Sequence, residues 1–131
     1  MNIRELLEDR VNSTPEKIYL YFQEQEISYR DFDKQVNKVA NSLLRLTIQK
    51  GDHFAIMLPN SPEFLYTWFG LNKIGAVEVL VNPDLKGQEV KYILNHSESR
   101  GIVIHSDYLS VLESIRNELP NLKHTIVVGG E

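Results

Sequence analysis

Ser61 is the one serine placed where a nucleophile could be sought, and four histidines (His53, His96, His105, His124) are the residues to weigh as bases or metal ligands. Ser61 stands in Pro59-Asn60-Ser61-Pro62. A nucleophilic serine needs a strained turn between small residues and a base to take its proton. No such elbow surrounds Ser61. A serine followed by proline is instead what a helix start uses, the hydroxyl as N-cap and the proline where a missing N–H costs nothing. The histidines have none of the spacings that metal sites take. Three of them fall at ends of expected strands and read as strand-edge histidines. Asp31 and Asp33 could form an acid–base pair, but they lie on the polar side of a helical pattern and read as a solvated face. Phe64, Trp68 and Phe69 could line an acyl pocket, yet aromatics at helical spacing read first as core.

A phosphate-binding loop needs glycines at a strand-to-helix turn, so that backbone N–H groups can approach the anion. The three such turns read Pro59-Asn60-Ser61-Pro62, Asn82-Pro83-Asp84-Leu85-Lys86-Gly87 and Ser106-Asp107. None is glycine-rich, so a dinucleotide fold is not expected. The turns after the first two parallel strands, Pro59-Asn60-Ser61 and Asn82-Pro83-Asp84, sit at the carboxyl edge where open parallel sheets place ligands. They are expected as loops near a site. No residue is assigned a catalytic, cofactor-binding or metal-binding role.

The elements that position these turns follow from periodicity. Asn2 to Glu5 reads as a capping box opening a short helix, ended by Thr14-Pro15. Ile18 to Phe22 and Ile27 to Tyr29 read as a hairpin. Phe32, Val36, Val39, Ala40, Leu43 and Leu44 mark one stripe of a long helix that frays by Gln49. His53 to Leu58 is an apolar run without alternation, the pattern of a strand covered on both faces. Ser61 and Pro62 open the next helix, and Gly75 stands where a left-handed C-cap belongs. Ala76 to Val81 reads as a second buried strand. A helix over Lys86–Asn95, a strand over Ile102–His105, a helix over Asp107–Leu119 and a strand over His124–Val128 complete the alternation. The fold class is therefore α/β: a partial parallel sheet with flanking helices, preceded by a short helix and a β-hairpin.

Composition narrows the function. The 131 residues include 14 basic and 18 acidic side chains, with no basic run, which argues against a nucleic-acid partner. There is no cysteine, so disulfides and thiol chemistry are excluded. Met1 to Glu5 does not open a signal peptide, and no apolar run reaches membrane-spanning length. A cytoplasmic setting is expected, and Asn12-Ser13-Thr14 and Asn95-His96-Ser97 are read as chance matches to the glycosylation pattern.

Several blocks, in order, carry a resemblance. Ile27-Ser28-Tyr29-Arg30-Asp31-Phe32 resembles the first core motif of the AMP-forming acyl-adenylate ligases. Lys50-Gly51-Asp52 and Met57 to Phe64 are similar to the next recurring block. Leu71-Asn72-Lys73-Ile74-Gly75-Ala76-Val77, running on to Val81-Asn82-Pro83, is similar to the second core motif. Tyr92 to Asn95 and the strand from Gly101 follow in register. Trp68 to Ala76 is especially similar to the crotonobetaine/carnitine–CoA and fatty-acyl–CoA ligase branch. Val79-Leu80-Val81 departs from the family, which usually has a proline there.

The resemblance implies residues 1–131 to be the amino-terminal part of an acyl-adenylate-forming domain, cut before the ATP phosphate loop. It implies a parent enzyme that uses ATP, Mg2+ and CoA, activates a carboxylic acid as acyl-AMP and passes it to a thiol. The chain alone is expected to be inactive and to bind none of these cofactors. Its expected partners are the carboxylic acid substrate of the parent enzyme and the rest of the ligase chain. A sheet lacking its later strands would leave an edge uncovered, so self-association is also expected. The alternative is a stand-alone interaction or small-ligand-binding α/β module.

Overall fold

The computed structural model describes residues 2–129. Helix α1 (Ile3–Ser13) opens with the expected capping box. Asn2 Oδ1 accepts from the Glu5 N–H at 2.8 Å, and Glu5 Oε2 accepts from the Asn2 N–H at 3.3 Å. Strands β1 (Ile18–Phe22) and β2 (Gln25–Ser28) form an antiparallel hairpin. Gln23, the first residue of its two-residue turn, takes a left-handed φ of 55° in place of the glycine that such turns favour.

Helix α2 (Tyr29–Arg45) is capped by Ser28, whose side chain accepts from the Asp31 N–H at 3.1 Å. It stops four residues before Gln49, where fraying was expected, because Leu46 leaves the helix and Thr47 turns left-handed at φ 62°. Then follow β3 (His53–Met57), α3 (Pro62–Ile74), β4 (Val77–Leu80), α4 (Gly87–His96) and β5 (Gly101–His105). The helix expected over 107–119 is interrupted. Only Leu109–Ile115 is α-helical (α5), flanked by 3₁₀ turns at Ser106–Tyr108 and Arg116–Glu118. Tyr108 and Ile115 explain the breaks, with ψ near 0° that tightens the chain at each junction. Strand β6 (His124–Val128) ends the sheet.

The four parallel strands lie in the order β4-β3-β5-β6. Their registers align Phe54 with Gly101, and Gly101 with His124. Strands β3 and β5 are central and almost wholly buried, as an apolar run without alternation requires. The reading of Ala76–Val81 as a buried strand is corrected. Strand β4 is an edge, with Val77 42% and Leu80 58% exposed. Its hydrophobicity is local, whereas its place at the edge is set by the next crossover, which carries the chain to the far side of β3. Without the family's usual proline there, β4 still pairs with β3 in regular register from His53–Val77 to Ile56–Leu80.

Each face of the sheet has its own core. Ala55, Met57, Ile102 and Ile104 meet Val90 and Leu94 of α4 and Leu112 and Ile115 of α5. Phe54, Ile56 and Val103 meet Leu43 of α2 and Leu71 of α3. A third cluster lies outside α2 and α3, where Phe32, Val36 and Phe69 hold Leu7 of α1 and Ile27 of the hairpin. Full burial of each such side chain contributes about 1.5–3 kcal/mol. Helices α2 and α3 approach closely at Gly70, where an added Cβ would lie 2.8 Å from Val39 Cγ1. Between them, Lys73 Nζ donates to Asp33 Oδ1 at 2.8 Å and to Asn37 Oδ1 at 2.7 Å.

Candidate functional site at the carboxyl edge

The strand order sets the place of the site. From β3 the chain moves to one side, through α3 to β4. It then crosses back through α4 to β5 on the other side. Connections that leave in opposite directions open a crevice beyond the carboxyl ends of the strands where they part. Here that point lies between β3 and β5, bounded by Leu58–Ser61 on one side and His105–Asp107 on the other.

The turns themselves are closed by their own side chains. Ser61 Oγ accepts from the Phe64 N–H at 3.3 Å and donates to the Pro59 carbonyl at 2.9 Å. Its hydroxyl is thus committed as a cap. Asn82 Oδ1 accepts from the Asp84 N–H at 2.9 Å. His105 Nδ1 accepts from the Asp107 N–H at 3.1 Å, which in the neutral ring puts the proton on Nε2. With Nδ1 accepting, the Asp107 carboxylate 3.5 Å away is a neighbour and not an ion-pair partner.

Not all the residues expected near a site come together. Asn60 and Ser61 line a cleft of about 300 Å3 with Phe64 and Leu65 of α3 and Leu20 and Phe22 of the hairpin. Asn82, Pro83 and Asp84 follow the edge strand β4 and take no part in that cleft. Two contributions escaped sequence reasoning. Leu20 and Phe22 reach the cleft from a distant hairpin; their spacing of two, with exposed Tyr19 and Tyr21 between them and beside them, was the available signal. His105, read as a bland strand-edge residue, belongs to the switch-point turn. Its ring is held between Tyr108, 6.0 Å away by centroids, and the backbone at Gly129. Gly129 has φ +79°, and a Cβ there would stand 2.7 Å from His105 Nε2, so a side chain would collide with the ring.

A larger cleft, about 650 Å3, opens at the opposite pole, where Asp52, Arg100 and Lys123 precede the strands and His53 opens β3. It is shallow in chemistry despite its size. Asp52 is used by the Gln49 N–H at 2.8 Å, and His53 Nδ1 lies 2.7 Å from the Ser97 carbonyl. The topology favours the carboxyl edge over this cleft.

Residues 7–131 match the family described as "AMP-binding enzyme". The chain belongs to that family. The crotonobetaine/carnitine–CoA ligase of Salmonella paratyphi B is 34% identical over 98% of this chain, which spans 26% of that relative's length. The anthranilate CoA ligase AuaEII, solved with anthranoyl-AMP, superposes with a TM-score of 0.93 and 32% identity over 99% of this chain and 25% of its own. The N-terminal domain of FACL13 from Mycobacterium tuberculosis superposes with a TM-score of 0.91 and 29% identity, over 98% of this chain and 34% of that one.

The family's description names AMP, so the carboxyl-edge turns can be tested for fit to the phosphates of an adenine nucleotide. The N–H groups of Phe64, Asp84 and Asp107 are already bonded within their turns, and Pro59, Pro62 and Pro83 have none to offer. Asp84 and Asp107 add negative charge where phosphates would need positive, and Lys86 of the second turn offsets only one of them. These turns do not fit the phosphates of ATP. Among the described residues no group of three or more His, Asp or Glu side chains could hold a metal ion. Together these elements present a preformed edge, closed turns on either side of the crevice, and a small apolar cleft beside it.

Proposed function

We propose that the chain is the amino-terminal part of an AMP-forming acid–thiol ligase, an acyl-CoA synthetase, and forms one wall of its site. The observation that carries this is the continuous match of 98% of the chain to 26% of a CoA ligase. ATP, Mg2+ and CoA are then handled by parts of the ligase outside these residues. The carboxylic acid is of the carnitine kind, as the name of the Salmonella relative suggests, or of the fatty-acyl kind, as that of the Mycobacterium tuberculosis fatty acyl CoA synthetase suggests. Residues 1–131 alone are inactive in this reading, and the setting is cytoplasmic.

The test is a chimera in which this chain replaces the matching quarter of the Salmonella ligase. A folded chimera with carboxylate-dependent ATP–pyrophosphate exchange is the expected result. A folded chimera with none would overturn the ligase reading. ATP affinity on the order of micromolar in the isolated chain, measured by calorimetry, would contradict the assignment of the nucleotide to other parts.

A second reading concerns association, and β4 favours it. An edge strand presents unpaired N–H and C=O groups, and this one also exposes Val77 and Leu80. One device opposes pairing. Glu78 turns its carboxylate inward, with Oε1 buried and unpartnered, and burial raises its pKa above the usual value against the opposing pull of hydrogen bonds from its own backbone and Asn72. We infer that copies of the chain associate through β4 at high concentration. Light scattering should show the mass rising with concentration, and Leu80→Lys should abolish the rise. A strictly monomeric chain would end this reading.

A further inference from the structure

A second apolar cavity, of about 290 Å3, lies between α1, the hairpin and α3. It shares no lining residue with the cleft beside Asn60 and Ser61. Its walls are Leu6 and Leu7 of α1, Tyr19 of β1, Tyr29, and Trp68 and Phe69 of α3. Tyr19 and Tyr29 stack at 4.8 Å with an interplanar angle of 27°, presenting aromatic surface. Phe69 stands edge-on to Tyr19 at 6.5 Å, and Trp68 edge-on to Phe69 at 5.6 Å. Such walls are suited to a flat ring, which binds by offset or edge-on contact. Leu6 is 46% exposed, so the cavity is open to solvent and not a sealed packing defect.

One charged residue lines this cavity, Arg10, in the last turn of α1. Arg4, Arg30, Arg100 and Arg116 all form their ion pairs outside the cavity, as Arg4 does with Glu8 at 3.0 Å. Among the described residues Arg10 is in no ion pair. An apolar, aromatic recess with a single guanidinium selects a ligand of matching polarity: a ring at one end and an anion at the other. The planar guanidinium takes a carboxylate through two parallel hydrogen bonds. The volume sits at the lower end of the range for small-molecule sites, which limits the ligand to a compact one.

We propose that this cavity is a binding site for a small aromatic carboxylate, with the ring against Tyr19, Tyr29 and Trp68 and the carboxylate on Arg10. The site is separate from the carboxyl edge and does not depend on the ligase reading. The ligand is a free small molecule.

Trp68 is the only tryptophan of the chain, so its indole N–H gives one reporter signal within the site. The 15N-labelled protein would be titrated with 4-tert-butylbenzoate and, in parallel, with 4-tert-butylbenzyl alcohol, which has the same ring and no charge. A saturable shift of the indole signal by the acid is expected, with the alcohol weaker by about tenfold. Arg10→Gln should weaken the acid by a similar factor and leave the alcohol unchanged, while Arg4→Gln should change neither. Arg10 is exposed, so the fold should tolerate the change. Equal binding of acid and alcohol, an unaffected Arg10→Gln protein, or no shift at millimolar acid would each overturn the proposal. An indole signal that moves with protein concentration alone would assign the cavity to a second copy and overturn it as well.

Discussion

Gly101→Ala should destabilise the fold by about 3 kcal/mol, although it adds one methyl group. Gly101 begins the central strand β5 and pairs across the sheet with Phe54 on one side and His124 on the other. The Phe54 ring lies over the glycine. An added Cβ would overlap Phe54 Cε2 and Cζ and come within 3.0 Å of the His124 carbonyl oxygen. The cause is space, since Gly101 does not have a left-handed φ. Phe54 is fully buried among Ile56, Leu71 and Val103 and has nowhere to turn. Urea unfolding followed by circular dichroism measures the effect. A double mutant that also carries Phe54→Leu should recover part of the loss, because the ring is the main obstacle. A loss below about 0.5 kcal/mol would show that the ring has room the structure does not offer.

Phe32→Ala is expected to cost about 3–5 kcal/mol. Phe32 is fully buried, and its ring meets Tyr19 at 4.9 Å, Tyr66 at 5.3 Å and Phe69 at 5.3 Å. It is the shared wall between α2, α3 and the hairpin, in the cluster that also holds Leu7 of α1. The effect should be uneven. Amide exchange should accelerate most in α1 and the hairpin, which rest on this cluster, and least in β3 and β5, whose cores lie on the sheet faces. Phe32→Leu should cost under about 1.5 kcal/mol, since it keeps most of the volume. Uniform acceleration across the sheet would mean that the outer layer and the sheet unfold as one unit.

Much of this architecture can be read from residues whose signals are local. Asn2 and Glu5 announce α1 because both halves of the capping box lie within one turn. Ser61-Pro62 and Gly75 bracket α3 for the same reason, and Gly75 does take φ +77°. Long-range placement is less legible. Val77 to Leu80 looks like a core strand, and nothing within it says that α4 will carry the chain away and leave it an edge. His105 looks like any strand-end histidine until β3 and β5 are set side by side. The cleft at Asn60 needs Leu20 and Phe22, some 40 residues earlier, to have a wall. The breaks in α5 come from backbone angles at Tyr108 and Ile115 that an apolar periodicity of Leu109, Leu112 and Ile115 does not reveal. The ordered family motifs place the chain in the AMP-binding family because they are spread over most of its length, even though no single one carries chemistry.

The strand order also has a meaning for synthesis. A ribosome makes β3 first, then β4, which joins one side of it after about 20 further residues. The partner for the other side, β5, emerges only after α4, and β6 later still. For that interval the central strand β3, buried from Phe54 to Met57 in the finished fold, has one open flank in a chain that is still growing. The connection from β4 back across β3 therefore fixes the geometry of the site and also the period when the nascent chain most needs shelter from wrong partners.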